Sequence, residues 1–207
     1  MKRVYFVRHG LTQGNEVSAY QLPTIPLSDK GKEQAECVTQ RFGQIPIDVI
    51  ISSTMERAAE TARAIAQRVG RDVVLEPLFQ EILRPTIVRG KLHVDPEASE
   101  IMKMVMRHWA NADWKHSDEE NFFDLKQRAL KAIAYLVARP EEHILVVTHG
   151  TILRMLFCCM MAGDAFEPEH FSWADAFLAV SHTGVTWCEY AKGKWKLITW
   201  NDHAHLG

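Results

Sequence analysis

The feature that most constrains this chain is an apolar run that ends abruptly in charge. Val4-Tyr5-Phe6-Val7 is β-branched and aromatic, the composition of a buried strand, and it stops at Arg8-His9-Gly10. Packing alone gives little reason for a strand core to end in a guanidinium, an imidazole and a glycine. Glycine lets the backbone turn sharply or come close to a ligand. Arginine offers a planar fork matched to phosphate or carboxylate. Histidine can act as a nucleophile or an acid–base group near neutral pH. A second apolar run, Ile144-Leu145-Val146-Val147, ends in a similar way at Thr148-His149-Gly150.

Further runs read as buried strands at Val49-Ile50-Ile51, which ends at Ser52-Ser53, and at Val73-Val74-Leu75, which leads to Phe79-Gln80-Glu81. Helical segments separate them. Ser28 is placed to cap a helix over 29–42, with Ala35, Val38 and Phe42 on one face. Ser53-Thr54-Met55-Glu56 has the form of a capping box and puts Arg57 in the first turn of the next helix. Phe122, Leu125, Ala129, Ile133 and Leu136 share a helical register that Pro140 ends. Another helix is expected from Thr151 to about Met161. Residues 11–26 and 164–176 read as loop. Val185 to Tyr190 and Trp195 to Trp200 alternate around Ala191-Lys192-Gly193-Lys194, the pattern of a hairpin.

Strands alternating with helices imply an α/β fold, a three-layer αβα sandwich with a mainly parallel central sheet. The 207 residues suit one domain over 1–207. About 84–121 reads as an excursion, a small helical lid, punctuated by Pro85, Gly90 and Pro96 and carrying a helix from Glu97 to about Asn111. A net charge of −2 argues against nucleic acid or an acidic membrane surface as partner. No apolar run reaches membrane-spanning length and no leader pattern opens the chain, so the cytoplasm is the expected compartment. Cys37, Cys158, Cys159 and Cys188 form no C-x-x-C pair and read as reduced thiols. His203 and His205 have no third ligand in sight, so no metal is expected.

In parallel sheets ligands bind beyond the carboxyl ends of the strands. Those ends bring Arg8, His9, Arg57, Glu81 and His149 towards one rim. The set lacks a nucleophile elbow, a P-loop and a dinucleotide glycine fingerprint. Two arginines and a helix start after His149 favour a phosphate dianion. An imidazole beside guanidiniums stays neutral and nucleophilic. A carboxylic acid beside bound phosphate holds its proton more readily and can pass it to a leaving oxygen. The chemistry read from these residues is metal-independent phosphoryl transfer through a phosphohistidine.

Val7-Arg8-His9-Gly10 with Thr12 and Asn15 resembles the Arg-His-Gly motif of the histidine phosphatase, or phosphoglycerate-mutase-like, superfamily. Leu27-Ser28-Asp29-Lys30-Gly31 through Gln34-Ala35, the segment from Ser52 to Ala62 around Arg57, and Val147-Thr148-His149-Gly150 resemble three more of its motifs, in order. The resemblance implies that His9 takes up the phosphoryl group. It implies that Arg8, Arg57 and His149 hold the phosphoryl oxygens. Glu81 is the implied acid, with Glu76 as the other acid near that strand end. Thr12, Asn15 and the Gly150 amide are secondary phosphate contacts. Arg84, Arg89, Lys91 and His93 form a basic cluster, either a solvated face or a site for a second anionic group; Arg84 and Arg89 are the candidate substrate contacts.

Several positions depart from the pattern. Glu81-Ile82-Leu83-Arg84-Pro85 runs on without the usual Gly-x-x-Glu-Gly, Glu60 stands where glutamine is usual, and Gly14 stands where mutases tend to carry tryptophan. The chain is also short for a phosphoglycerate mutase. Hydrolysis of a small phosphomonoester or sugar phosphate, with no cofactor, is therefore the expected activity. A phosphoglycerate-mutase-type isomerase is the alternative, and a catalytically silent phosphate-binding scaffold is the alternative of another class. The expected partner is a small phosphorylated metabolite, and the edge of the C-terminal hairpin leaves room for a homodimer.

Overall fold

The computed structural model describes residues 1–207. Its six strands are β1 (Lys2–Arg8), β2 (Val49–Ser52), β3 (Val73–Leu75), β4 (His143–Thr148), β5 (Val185–Ala191) and β6 (Lys194–Asp202). They form one sheet in the order β3-β2-β4-β1-β5-β6. The first four are mutually parallel, and β5 and β6 are antiparallel additions at the β1 side. The helices are α1 (Gln13–Glu16), α2 (Asp29–Phe42), α3 (Glu56–Val69), α4 (Pro96–Arg107), α5 (Phe122–Ala138), α6 (Gly150–Ala162) and α7 (Pro168–Phe177).

Alternating side chains of the central strands feed two cores, one on each face of the sheet. Val4, Phe6, Ile144 and Val146 pack with Phe122, Leu125 and Leu136 of α5 and Ile152 of α6. Tyr5, Val7, Leu145 and Val147 pack with Val38 and Phe42 of α2 and Ala58 and Ile65 of α3. Burial on both faces is why these strands read as continuous apolar runs. The register sets the rim. Arg8 pairs with Thr148, and Ser52 with both Val147 and Leu75, so the four parallel strands end together. His9 N–H continues the ladder to Thr148 O at 2.9 Å, and Ser53 N–H to Val147 O at 3.0 Å.

Gly10 adopts no left-handed backbone. Its lack of a side chain serves a close approach to α2, because a Cβ on Gly10 would overlap Gly31 O and one on Gly31 would overlap Leu11 O. At the hairpin tip Lys192 and Gly193 both have positive φ, 51° and 77°, which suits the twist of a two-residue turn.

Several sequence expectations change. The Ser53–Glu56 capping box does not form: Met55 is the N-cap of α3 and no side chain caps it. Within the expected loop 11–26, Thr12 caps the one-turn α1 by accepting from Asn15 N–H. Residues 163–177, mostly expected as loop, form a 3₁₀ turn and α7, started by Pro168 at N1 and anchored by buried Phe171. One buried anchor is too little to show a helical period. Over 84–121 the helix runs Pro96–Arg107, shorter than the expected Glu97–Asn111, and Asp95 caps it. This excursion has a small apolar cluster of its own, Val88, Ala98, Met102 and Val105, with Tyr20 and Trp114 against it. Trp109 instead joins the main core beside Phe122 and Phe171, while Trp173 stands exposed. No helix is long and apolar enough to cross a membrane. All four cysteines are free thiols.

Candidate active site

His9 follows directly on β1 and is almost fully buried, with 3% of its surface exposed. Its Nδ1 lies 2.7 Å from Gly10 O. A carbonyl can only accept, so Nδ1 carries the proton and Nε2 carries the lone pair. Arg57 Nε donates to that Nε2 at 3.2 Å. Burial, and then the positive fields of Arg57, His149 and Arg8, hold the His9 pKa well below its ordinary value. The ring is therefore a neutral imidazole with its nucleophilic nitrogen turned towards a guanidinium.

His149 follows β4 and lies with its ring centroid 5.0 Å from that of His9. It is wholly buried, and its pKa is also depressed, by burial first and then by Arg57 and Arg8. Ser53 Oγ accepts from Met55 N–H and sits 2.8 Å from His149 Nε2. His149 Nδ1 is buried and has no hydrogen-bond partner. Ser53 was expected at a helix cap; here it orients an imidazole.

Arg8 donates through Nη1 to Val180 O at 2.6 Å, while its buried Nε has no partner. Arg57, in the first turn of α3, is tied by Nη1 to Leu22 O at 3.3 Å, and burial lowers its pKa to about 10. Arg8 Nε and His149 Nδ1 are thus both buried without a protein partner, and a buried guanidinium N–H left so is costly unless an anion meets it.

Glu81 closes the site from the side of α6. Its Oε2 accepts from Thr151 N–H and its Oε1 from Ile152 N–H, both at 3.1 Å, and Oε1 also accepts from Ile82 N–H at 2.9 Å. The start of α6, expected to meet phosphate, has two of its first-turn amides occupied by this carboxylate. Gly150 N–H is the first-turn amide that Glu81 does not take. Glu76 is spent on capping a 3₁₀ turn through Leu78 N–H and is absent from the cavity lining.

A cavity of about 240 Å³ opens above His9, and Arg8, Asn15, Arg57, Glu81, Arg84 and Arg89 contribute to its wall. Thr12 does not: it is fully buried behind the wall, its hydroxyl 2.8 Å from Asn15 Oδ1 and 2.9 Å from Gln21 Oε1. Asn15 Oδ1 is taken by Thr12, which leaves Nδ2 as its free donor. Arg84 and Arg89, equivalent as sequence candidates, differ in the fold. Arg89 donates twice to Arg84 O, at 2.9 and 2.7 Å, whereas the nearest polarisable partner of Arg84 is Met106 Sδ at 3.9 Å. His182, before β5, packs edge-on to His9 and bonds His9 O through Nδ1 at 3.1 Å. Burial, and then the charge of Arg8, push its pKa down to about 4. Tyr20, its ring tilted against that of His93 with centroids 4.2 Å apart, also faces the cavity and carried no signal in the sequence. No group of three or more His, Cys, Asp or Glu side chains is placed to hold a metal ion.

Two histidines and two arginines on a mainly parallel αβα sheet, with a carboxylate beside them, define a class. Residues 4–203 match the family model of the histidine phosphatase superfamily (branch 1), and this chain belongs to that family. It is 31% identical over 215 residues to a protein of Enterobacter sp. (strain 638) named "Probable phosphoglycerate mutase GpmB", covering 100% of this chain and 95% of that one. Among solved structures it resembles Bacillus stearothermophilus YhfR, with a TM-score of 0.85, 26% identity and 100% of both chains covered. It shares the fold of the alpha-ribazole phosphatase from Shigella flexneri, with a TM-score of 0.82, 23% identity and 98% and 97% of the two chains covered.

Proposed function

We propose that this chain hydrolyses a small phosphomonoester or sugar phosphate without a metal ion, through a phosphohistidine on His9. His9 Nε2 attacks phosphorus as the bond to the leaving oxygen breaks, and Glu81 supplies that oxygen with its proton. Arg8, Arg57, His149 and the Gly150 amide receive the phosphoryl oxygens. Such preset donors do the work that a metal ion does in other phosphoryl-transfer sites. Water then attacks phosphorus, Glu81 takes the water proton, and the N–P bond breaks to return neutral His9. The observation that carries this reading is a neutral His9 imidazole whose Nε2 lone pair meets only the Arg57 guanidinium, with Arg8, whose buried Nε has no protein partner, in the same cavity wall.

Arg84 is the substrate contact of the outer wall in this reading. Its guanidinium has no carboxylate partner and suits a second anionic group on the substrate. Arg89 holds it in place through the Arg84 carbonyl. The decisive measurement is hydrolysis of p-nitrophenyl phosphate in the presence of a chelator, with isolation of an acid-labile phosphoenzyme. Turnover lost in His9→Ala supports the proposal; turnover that persists there, or none on a broad panel of phosphoesters, refutes it. The name carried by the curated relatives favours one second reading, a mutase. Isomerisation of a phosphoglycerate that exceeds its hydrolysis and depends on a bisphosphoglycerate primer would establish that reading instead.

A further inference from the structure

We propose that Arg128 on α5 and Glu120 just before it are positioning residues that hold the acid loop, and with it Glu81, in the reactive place. The inference rests on reading Glu81 as the proton donor.

Residues 76–83 leave β3 without a strand partner, and only the 3₁₀ turn Pro77–Phe79 is regular. Backbone carbonyls in such a stretch need other partners. Here four consecutive carbonyls are each met by a side chain from elsewhere in the fold. Arg128 Nη1 donates to Leu78 O at 3.1 Å and Gln80 O at 2.7 Å, and Nη2 to Glu81 O at 3.4 Å. Thr148 Oγ1 donates to Phe79 O at 2.8 Å. Glu120 closes the arrangement. Its two oxygens take Arg128 Nε and Nη2 at 2.7 and 2.6 Å, and its Oε2 also accepts from Leu83 N–H at 2.9 Å.

A guanidinium is planar, so carbonyls bound to its fork are fixed relative to one another. The Arg128 side chain is 15% exposed and that of Glu120 11%. Its helix is anchored in the core on either side by Leu125 and Ala132, so the fork stands on a rigid base. Glu120 balances the charge, which leaves Arg128 to act on Glu81 mainly through the backbone. The Glu81 carboxylate is held at the α6 amides and its main chain at α5. Displacement of a reacting group by about 1 Å can cost about a hundredfold in rate.

A pair that merely stabilised the fold would slow all substrates alike. A pair that positions the acid matters most where the leaving oxygen needs a proton. The test is kcat/KM, which reports the phosphoryl-transfer step, for substituted phenyl phosphates and one alkyl phosphate. Arg128→Lys keeps charge and bulk but cannot span the carbonyls. It should lower kcat/KM for the alkyl phosphate at least about tenfold more than for p-nitrophenyl phosphate. Glu120→Gln should act in the same direction and less, and it carries the test alone if Arg128→Lys does not fold. In a Glu81→Gln background, Arg128→Lys should add nothing to the alkyl–aryl difference. Equal losses across leaving groups, or an additive loss in the double variant, overturn the proposal. If the wild-type chain turns over no phosphoester, it is the hydrolase reading that fails. The clamp is then judged by hydrogen exchange of amides 79–83, expected to quicken at least about tenfold in Arg128→Lys; unchanged exchange refutes it.

Discussion

At the inner end of the cavity, Arg8 and His9 stand at the carboxyl end of β1 and Arg57 in the first turn of α3, with His149, wholly buried at the end of β4, packed against His9; at the outer end, Arg84, Arg89 and His93 stand on the irregular excursion. The inner groups inherit their positions from strand register and from cores on both faces of the sheet. The outer groups are held by a few side-chain bonds, from Arg89 to Arg84 O and from Thr86 to Asp118. The inner end carries depressed imidazole pKa values and a buried donor, Arg8 Nε, without a protein partner. The outer end carries one unpaired guanidinium and a tilted Tyr20–His93 ring pair. Under the proposed function the contrast separates the chemical step, which any phosphomonoester would share, from selection among phosphomonoesters. A rigid sheet edge serves the first and a loop serves the second.

That division can be broken by experiment. The largest effect is expected at the inner end: His9→Ala should cut p-nitrophenyl phosphate turnover more than about a thousandfold, measured with a chelator present. Glu81→Gln comes next. It should slow alkyl phosphates about a hundredfold and p-nitrophenyl phosphate distinctly less, because a good leaving group needs little help from an acid. Uniform loss across leaving groups would assign the acid elsewhere.

Arg84→Met should raise KM about tenfold for a phosphomonoester carrying a carboxylate and leave p-nitrophenyl phosphate within about threefold. Equal effects on both would merge the two ends into one site. Arg89→Met should show the same preference at about two- to threefold, since it acts through the Arg84 carbonyl.

The smallest expected effect is on stability. His9, His149 and His182 have folded-state pKa values below the ordinary 6.5. Below that pH the unfolded chain binds protons that the folded chain refuses, so stability present above it is lost as the pH falls. Melting temperature should drop between about pH 7 and about pH 5. A Tm that holds or rises over that interval would mean that the inner end does not keep its imidazoles neutral.

Much of the architecture was legible in the chain. The bounds of α2 and α5 followed from Ser28 as a cap and from a sustained apolar period, and both helices run as expected. The hairpin of β5 and β6 followed from alternation around Lys192-Gly193. α7 was hidden because Phe171 is its one buried residue, and a helix that packs so little leaves no period to read. Among site residues, Arg8, His9, Arg57 and Glu81 share one cavity wall, with His149 immediately behind His9. Thr12 fell outside because the α1 cap and Gln21 consume its hydroxyl.

By itself the sequence determined which strands and helices form and which chemical groups stand at their ends, because periodicity, caps and breakers act between near neighbours. Only the tertiary structure decided how those groups spend their hydrogen bonds. Ser53 turned from a helix cap to His149, Glu81 took two amides of α6, Arg89 closed on Arg84, and Arg128 reached across to the acid loop. A donor or acceptor has few places to give, and its partner is chosen by distance through space. For Ser53 and His149, 96 residues apart, and for Glu81 and Thr151, 70 apart, that distance comes from strand register and core packing, where no local pattern reaches.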